Sequence, residues 1–514
     1  MTRVVSIVSA ALACGIGLFA APCAFPQSQK PGDLAASAIQ ASERGDRAGA
    51  AREFDAALAQ NPDDVRALIG RCNLRMQERD FAAAQVDCAR AAALEPESGI
   101  VLGQLGFVFL ASGDAEKASR TLDAALALMP SNTEMLSARG AASPTAAEAM
   151  PYFNAALRND PRYARALAGR GFAWLEIDQP QHAEADFRAL LALGSNAAEA
   201  HYGLGLALSA QEATDEAIAA LDRAIALSPS YAAAYYERGV LHGDSDTLEL
   251  ALADYDMAVQ LAPDIPNFLT SRAWVLRERG EFTRALADLD RALALDPSNT
   301  FALTNRGATR YSLGDIPGAL ADLNESIRLD PDDPHAYLSR GGVYANTNED
   351  ALALADFTEH LRLDPASPPG YRFRSVIRGR LGDAAGSIAD ADAFAGMTPD
   401  DPSGLNSRCW ARAVANAELD VALATCDRAI ASEDTSQYRD SRGLVFLRLG
   451  RYAEAWADYD AAVRMKPDDA HALYGRGLAA VRLGRAHDGD ADLARATALR
   501  PQVAQDYARY GVTP

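Results

Sequence analysis

Lysine is almost missing from this chain. Of 49 basic residues only Lys30, Lys117 and Lys466 are lysines, and 70 acidic residues leave a formal net charge of −21. Such a chain is repelled by phosphate backbones and anionic lipid headgroups, which excludes nucleic acid and membrane surfaces as partners. Cysteine is scarce as well. The six cysteines contain no C-x-x-C pair, so a thiol redox motif is excluded. The seven histidines (His182, His201, His242, His335, His360, His471 and His487) form no HExxH and no pair at metal-ligand spacing. No GxSxG, phosphate loop or GxGxxG after a strand is present. The expectation is a protein without cofactor, metal or catalytic residues, hence not an enzyme. With 49% apolar and 23% charged residues the chain is folded rather than disordered.

The N-terminus differs from the rest. Arg3 precedes an apolar run from Val4 to Ala21, followed by Pro22, Cys23 and Ala24. A basic start, a short apolar core and small residues describe a secretory signal, residues 1–24. The cleavage site is imperfect, because Pro22 disturbs both a cut after Ala24 and a lipoprotein reading at Cys23. An uncleaved anchor is the rival, since the run is only just long enough to span a bilayer. Both place the remaining chain outside the cytoplasm. The alanine- and arginine-rich, lysine-poor usage points to a bacterium, and so to its periplasm or cell envelope.

From there one period runs through the chain. Pro62, Pro96, Pro130, Pro161, Pro229, Pro263, Pro297, Pro331, Pro365, Pro399, Pro467 and Pro501 mark it, mostly 34 residues apart. Two double-length gaps each hide a unit ending without proline, near Ser195 and Glu433, making fourteen units over residues 25–503. Within 198–230, apolar residues recur every three or four places on either side of a break at Gln211–Asp215, which spells two helices. Other units break at Gly113-Asp114, Gly314-Asp315, Gly382-Asp383 or Gly450-Arg451. There glycine closes the first helix and Asp, where present, caps the second. Proline then ends the unit. The unit at 133–163, with Pro144 and Pro151, is three residues short. It and the proline-less unit ending at Gly194-Ser195 are expected to change the pitch locally.

These features closely resemble the tetratricopeptide repeat family: the 34-residue period, a small residue in the first helix (Gly205, Gly307, Gly341, Gly477), an alanine early in the second (Ala217, Ala319, Ala455) and the closing proline. The resemblance covers over nine-tenths of the chain. It implies an all-α fold, an α-solenoid of antiparallel helix pairs in a right-handed superhelix, with first helices lining a concave face. Residues 504–514 read as a short polar cap.

Two pairings recur sixteen residues apart. Twenty-five places before the closing position (twenty-two in the short unit) stands arginine in eleven units, and nine places before it stands aspartate in nine. They pair as Arg71–Asp87, Arg170–Asp186, Arg238–Asp254, Arg272–Asp288, Arg306–Asp322, Arg340–Asp356, Arg374–Asp390, Arg442–Asp458 and Arg476–Asp492. Arg139 and Arg408 lack that acid. Two units hold Leu105 with Thr121 and Leu204 with Ala220 instead. Facing positions of a hairpin favour an Arg–Asp bridge between its helices, the alternative being solvated surface charges worth less than about 1 kcal/mol. Cys72 and Cys88 occupy the neighbouring slots, as do Cys409 and Cys426. Three pairings of these four are possible, and hairpin geometry with export favours Cys72–Cys88 and Cys409–Cys426. Free thiols in small-residue slots are the other reading. The acidic doublets Asp332-Asp333, Asp400-Asp401 and Asp468-Asp469 suit helix capping better than calcium.

The resemblance also implies where a partner would bind. Residues 27 and 23 places before the closing position point into the concave face, and they include Tyr202, Tyr236 and Tyr474, then Phe107, Phe172, Trp274 and Trp410. Arg277, Arg372 and Arg380 stand nearby for carboxylates. Packing between neighbouring units is the competing role. The lysine-and-asparagine clamp with which some family members hold chaperone C-termini is missing. The functional expectation is a protein-binding scaffold of unidentified protein or peptide partner. A periplasmic chaperone or peptide carrier, or a membrane-tethered subunit of an envelope assembly or export machine, are its rivals.

Overall fold

The computed structural model describes residues 33–194, 197–244 and 247–513. The expected leader, with Cys14 and Cys23, lies outside the described residues. Among the described residues all regular structure is helical, in 29 helices: fourteen successive pairs, from Leu34–Glu43 with Arg47–Gln60 to Ala470–Arg482 with Ala486–Leu499, and a final short helix Val503–Arg509. The chain divides into two compact units, Met1–Pro263 and Asp264–Pro514, with seven pairs in each. The fold is an all-α solenoid. Within each unit, both helices of a pair pack together and the second packs on the next first helix. Neighbouring first helices also touch, whereas neighbouring second helices make little or no contact. First helices therefore form one surface and second helices the opposite one.

The pair Thr300–Ser312 and Ile316–Leu329 shows why the sequence folds this way. The Asn299 side chain accepts from the Ala302 N–H and starts the first helix. Gly314 closes it at φ +84°, a conformation that costs an L-residue about 1–2 kcal/mol. Asp315 then accepts from the Gly318 N–H and starts the second helix. A Cβ on Gly307 would lie 2.8 Å from Leu323 Cγ and 3.1 Å from the Ala319 carbonyl, so only glycine lets the helices approach this closely. Five units close the first helix with another residue at positive φ: Arg79, Asp178, Glu212, Asn348 and Asn416. Asp333, Asp401 and Asp469 cap the next first helix through the N–H groups of His335, Ser403 and His471.

All nine Arg–Asp bridges form, each bidentate. Nε donates to one carboxylate oxygen and Nη2 to the other at 2.6–2.9 Å. The aspartates are buried in eight of the pairs. The third arm of the guanidinium reaches backward. Nη1 of Arg71, Arg170, Arg306, Arg340, Arg442 and Arg476 donates at 2.7–2.9 Å to Asp55, Asn154, Asp290, Asn324, Asp427 and Asp460 of the preceding pair. Arg238 does the same to Asp222. Arg139 and Arg408, which lack an acid in their own pair, are not unpartnered: they bond Asp123 and Asp392 of the pair before, both at 2.7 Å. The arginine thus ties its own hairpin and the one before it.

Both disulfides form as expected, Cys72–Cys88 with Cα atoms 5.8 Å apart and Cys409–Cys426 at 5.5 Å. All four cysteines are fully buried between the helices of their pairs.

Replacing Arg340 by Leu leaves the buried Asp356 carboxylate without its fork and is expected to cost about 2–4 kcal/mol in urea unfolding. The double change Arg340→Leu/Asp356→Ala, which copies the natural Leu204 and Ala220 combination, is expected to recover part of that loss. A double variant weaker than the single one would contradict the buried-pair account. For the disulfides, thiol titration of unfolded, unreduced protein beginning after Ala24 is expected to find no free cysteine. Reduction should lower stability by roughly 3 kcal/mol per closed loop.

Candidate protein-binding face

The ten residues expected on the first-helix face meet different fates. Phe107, Phe172 and Tyr202 are buried in the core of the first unit, and Tyr474 in that of the second. Phe172 packs edge-on against Phe187, and Tyr202 (0% exposed) lies 4.9 Å from Tyr231. Because neighbouring first helices touch, these rings fill the seam between pairs and offer little surface. Tyr236, 5.8 Å from Tyr255, and Trp274 are half-buried. Arg277 donates to Glu278 at 2.8 Å. Arg380 donates to the Ala345 carbonyl at 2.9 Å and to Asp350 at 3.2 Å. Arg372 is exposed, its guanidinium 4.6 Å from the Phe373 ring, and Phe373 and Val376 keep 37% and 38% of their surface. This stretch of Pro368–Arg380 is an accessible apolar and basic patch.

At the end of the second unit the C-terminal segment covers part of the same face. The stretch expected as a polar cap carries Tyr507, fully buried, whose hydroxyl donates to the His471 carbonyl at 3.0 Å. Its ring lies 4.9 Å from that of Tyr474, tilted by 38°, and Tyr510 meets Trp410 edge-on at 5.4 Å. Arg482 donates to the Thr513 carbonyl at 3.1 Å. Trp410 and Tyr474 are therefore held by this chain's own tail.

In the first unit the short pair leaves a void. Its first helix, Thr133–Ala141, has 9 residues where Gly99–Ala111 and Ala164–Glu176 have 13, about one turn less. Its second helix, Ala146–Asn159, keeps 14 residues with Pro151 inside. The missing turn opens a cavity of about 300 Å³ lined by Phe107, Leu110, Ala141, Glu134, Arg165 and Glu176, among others. Arg165 donates to Glu134 at 3.2 Å, and Glu176 accepts from the Ala146 N–H at 3.0 Å. Burial pushes the Glu134 carboxyl up, against the pull of Arg165.

Comparison with known proteins agrees with this geometry. Tetratricopeptide repeat models match residues 75–142, 236–300 and 272–341, and a TPR repeat model matches 209–246 and 443–484. The chain is a tetratricopeptide repeat protein. No curated protein matches it. Among solved structures it is similar to a chain of the APC/C hetero-tetramer Cut9-Hcn1, at 13% identity over 87% of this chain and 96% of that one, with TM-score 0.54, a likeness of fold. A tetratricopeptide repeat protein from Parabacteroides merdae matches at 20% identity, over 51% of this chain and 100% of its own, with TM-score 0.37. YrrB, a TPR protein with an unusual peptide-binding site, matches at 23% identity over 37% of this chain and 97% of its own, with TM-score 0.32.

The face of this tetratricopeptide repeat protein also holds a residue that reasoning from the repeat did not single out. Asp440 stands 27 places before the unit's closing position, in the slot that other units fill with Tyr202 or Tyr474, and an acid there was the available signal. Its Oδ1 is buried without a hydrogen-bond partner, facing Asp469 and the tyrosines Tyr459, Tyr507 and Tyr510. Burial, with Asp469 adding to it, pushes the Asp440 carboxyl from 3.8 up to about 8. The folded protein therefore holds this proton where the unfolded chain has released it. Stability of the second unit is expected to fall as pH rises from about 4 to about 8. Asp440→Asn should remove that slope and unfold later than wild type above pH 8, read by fluorescence of Trp410. An unchanged slope would contradict the assignment.

Proposed function

We propose that this protein is a non-enzymatic interaction scaffold of a bacterial envelope or periplasm, holding a protein or peptide on its first-helix face. The observation that carries the reading is the accessible patch Arg372, Phe373 and Val376 on a chain whose described residues are filled end to end by helix pairs. A helix with an exposed guanidinium beside an aromatic ring suits a carboxylate-bearing, partly apolar segment. Two buried disulfides suit an oxidising compartment, which supports export. Among the described residues no helix is long and apolar enough to cross a membrane. Trp274 and Arg277 of the same unit are proposed to extend the contact as half-buried residues, and Tyr236 to offer a separate contact in the first unit.

The test places a photo-crosslinking amino acid at position 372 of the full chain in its native envelope, with the same group at Glu325 on a second helix as control. A discrete partner captured at 372 and not at 325 is expected. Equal capture at both positions would contradict the first-helix face, and a broad smear of unfolded chains would favour the chaperone reading. A reporter fused after residue 24 should be exported; retention in the cytoplasm would overturn the location.

A further inference from the structure

The void beside Thr133–Ala141 has a chemistry of its own. Its volume, about 300 Å³, sits at the lower end of the range for small-molecule sites, roughly 300–1,000 Å³, which fits one long side chain. Met76, Phe107, Leu110, Ala141 and Ala173 give it apolar walls. The charges in its lining do not cancel. The lining holds one formal negative charge in excess, Glu134 and Glu176 against Arg165; Arg165 bonds Glu134 at 3.2 Å, and Glu176 accepts from the Ala146 N–H. The helix N-terminus at Ala146 offsets that charge only in part. An anionic guest is therefore repelled, a neutral apolar guest leaves the excess negative charge unbalanced, and a cation on an apolar stem satisfies both parts of the lining.

We propose that this notch receives one basic side chain, lysine or arginine, of a partner polypeptide. The stem lies on the apolar walls and the cationic head beside Glu176 and Glu134. This rests on the scaffold reading and adds a subsite to it in the first unit. The net charge of −21 draws basic segments toward the surface in the first place.

Three six-carbon probes test the notch on the full chain by titration calorimetry: n-hexylammonium, hexan-1-ol and hexanoate. Hexylammonium is expected to bind at least about fivefold more tightly than hexanol, with hexanoate weakest. Ala141→Trp fills the void and should abolish hexylammonium binding at an unchanged or higher melting temperature. Glu176→Gln keeps an amide oxygen for the Ala146 N–H but loses the charge, and should bring hexylammonium down to the affinity of hexanol. That second variant decides the matter even where Ala141→Trp does not fold. Hexanol or hexanoate binding as tightly as the ammonium, no binding of any probe, or wild-type binding by Glu176→Gln would overturn the proposal. Failure here leaves capture at Arg372 untouched, because that position lies in the other unit. Loss of capture at Arg372 with ammonium binding intact would instead refute the scaffold and leave an amine site.

Discussion

The structure depends on one side chain used repeatedly. An arginine on each of nine first helices places Nε and Nη2 on a carboxylate of its own second helix and, in at least seven of them, Nη1 on a polar side chain of the preceding pair. The guanidinium is suited to this because its donors lie in a fixed plane and point in two directions at once. A helix pair cannot cover its own apolar stripe, and neighbours must do so in register. Apolar packing between alanine-rich helices is tolerant of small slips. A buried charged fork is not, since a slip strands both partners away from water. The arginine therefore contributes less to net stability than to the spacing of the pairs.

That division shapes the faces. With spacing set by the fork on one side, first helices come close enough to touch, and large rings at the seam become packing groups. Phe172 and Tyr202 are buried for this reason. Two places on this face stand out: Phe373 and Val376 of the regular helix Pro368–Arg380 stay exposed, and a void opens where a first helix is one turn short. The C-terminal segment packs Tyr507 and Tyr510 against Tyr474 and Trp410 of the same face. Asp440 beneath it is held protonated by burial rather than by a partner.

Much of this was readable from spacing alone. The prolines, the Gly-Asp breaks and the paired Arg–Asp and Cys–Cys slots located the helix pairs, the turns, nine bridges and both disulfides, because each obeys a period that repeats. What did not repeat was harder to read. Asp123 and Asp392, the partners of Arg139 and Arg408, sit one unit earlier, where an exposed acid looks like any other. Arg79 and Glu212 take the positive-φ position without the glycine that signals it. The three missing residues of the unit at 133–163 marked an irregularity, but only the packed neighbours reveal that Glu134, Arg165 and Glu176 line the resulting void. Slots 27 and 23 places before the closing position share one helix face, yet burial on that face depends on how near the next first helix lies.

The central claim is that the arginine couples consecutive pairs, and native-state hydrogen exchange of Arg306→Lys tests it most directly. Lysine keeps the charge but cannot span Asp322 and Asp290 together. The account predicts faster exchange in both Thr300–Leu329 and the preceding helix pair, residues 266–295, with distant pairs unchanged. Faster exchange confined to residues 300–329, or none at all, would contradict it.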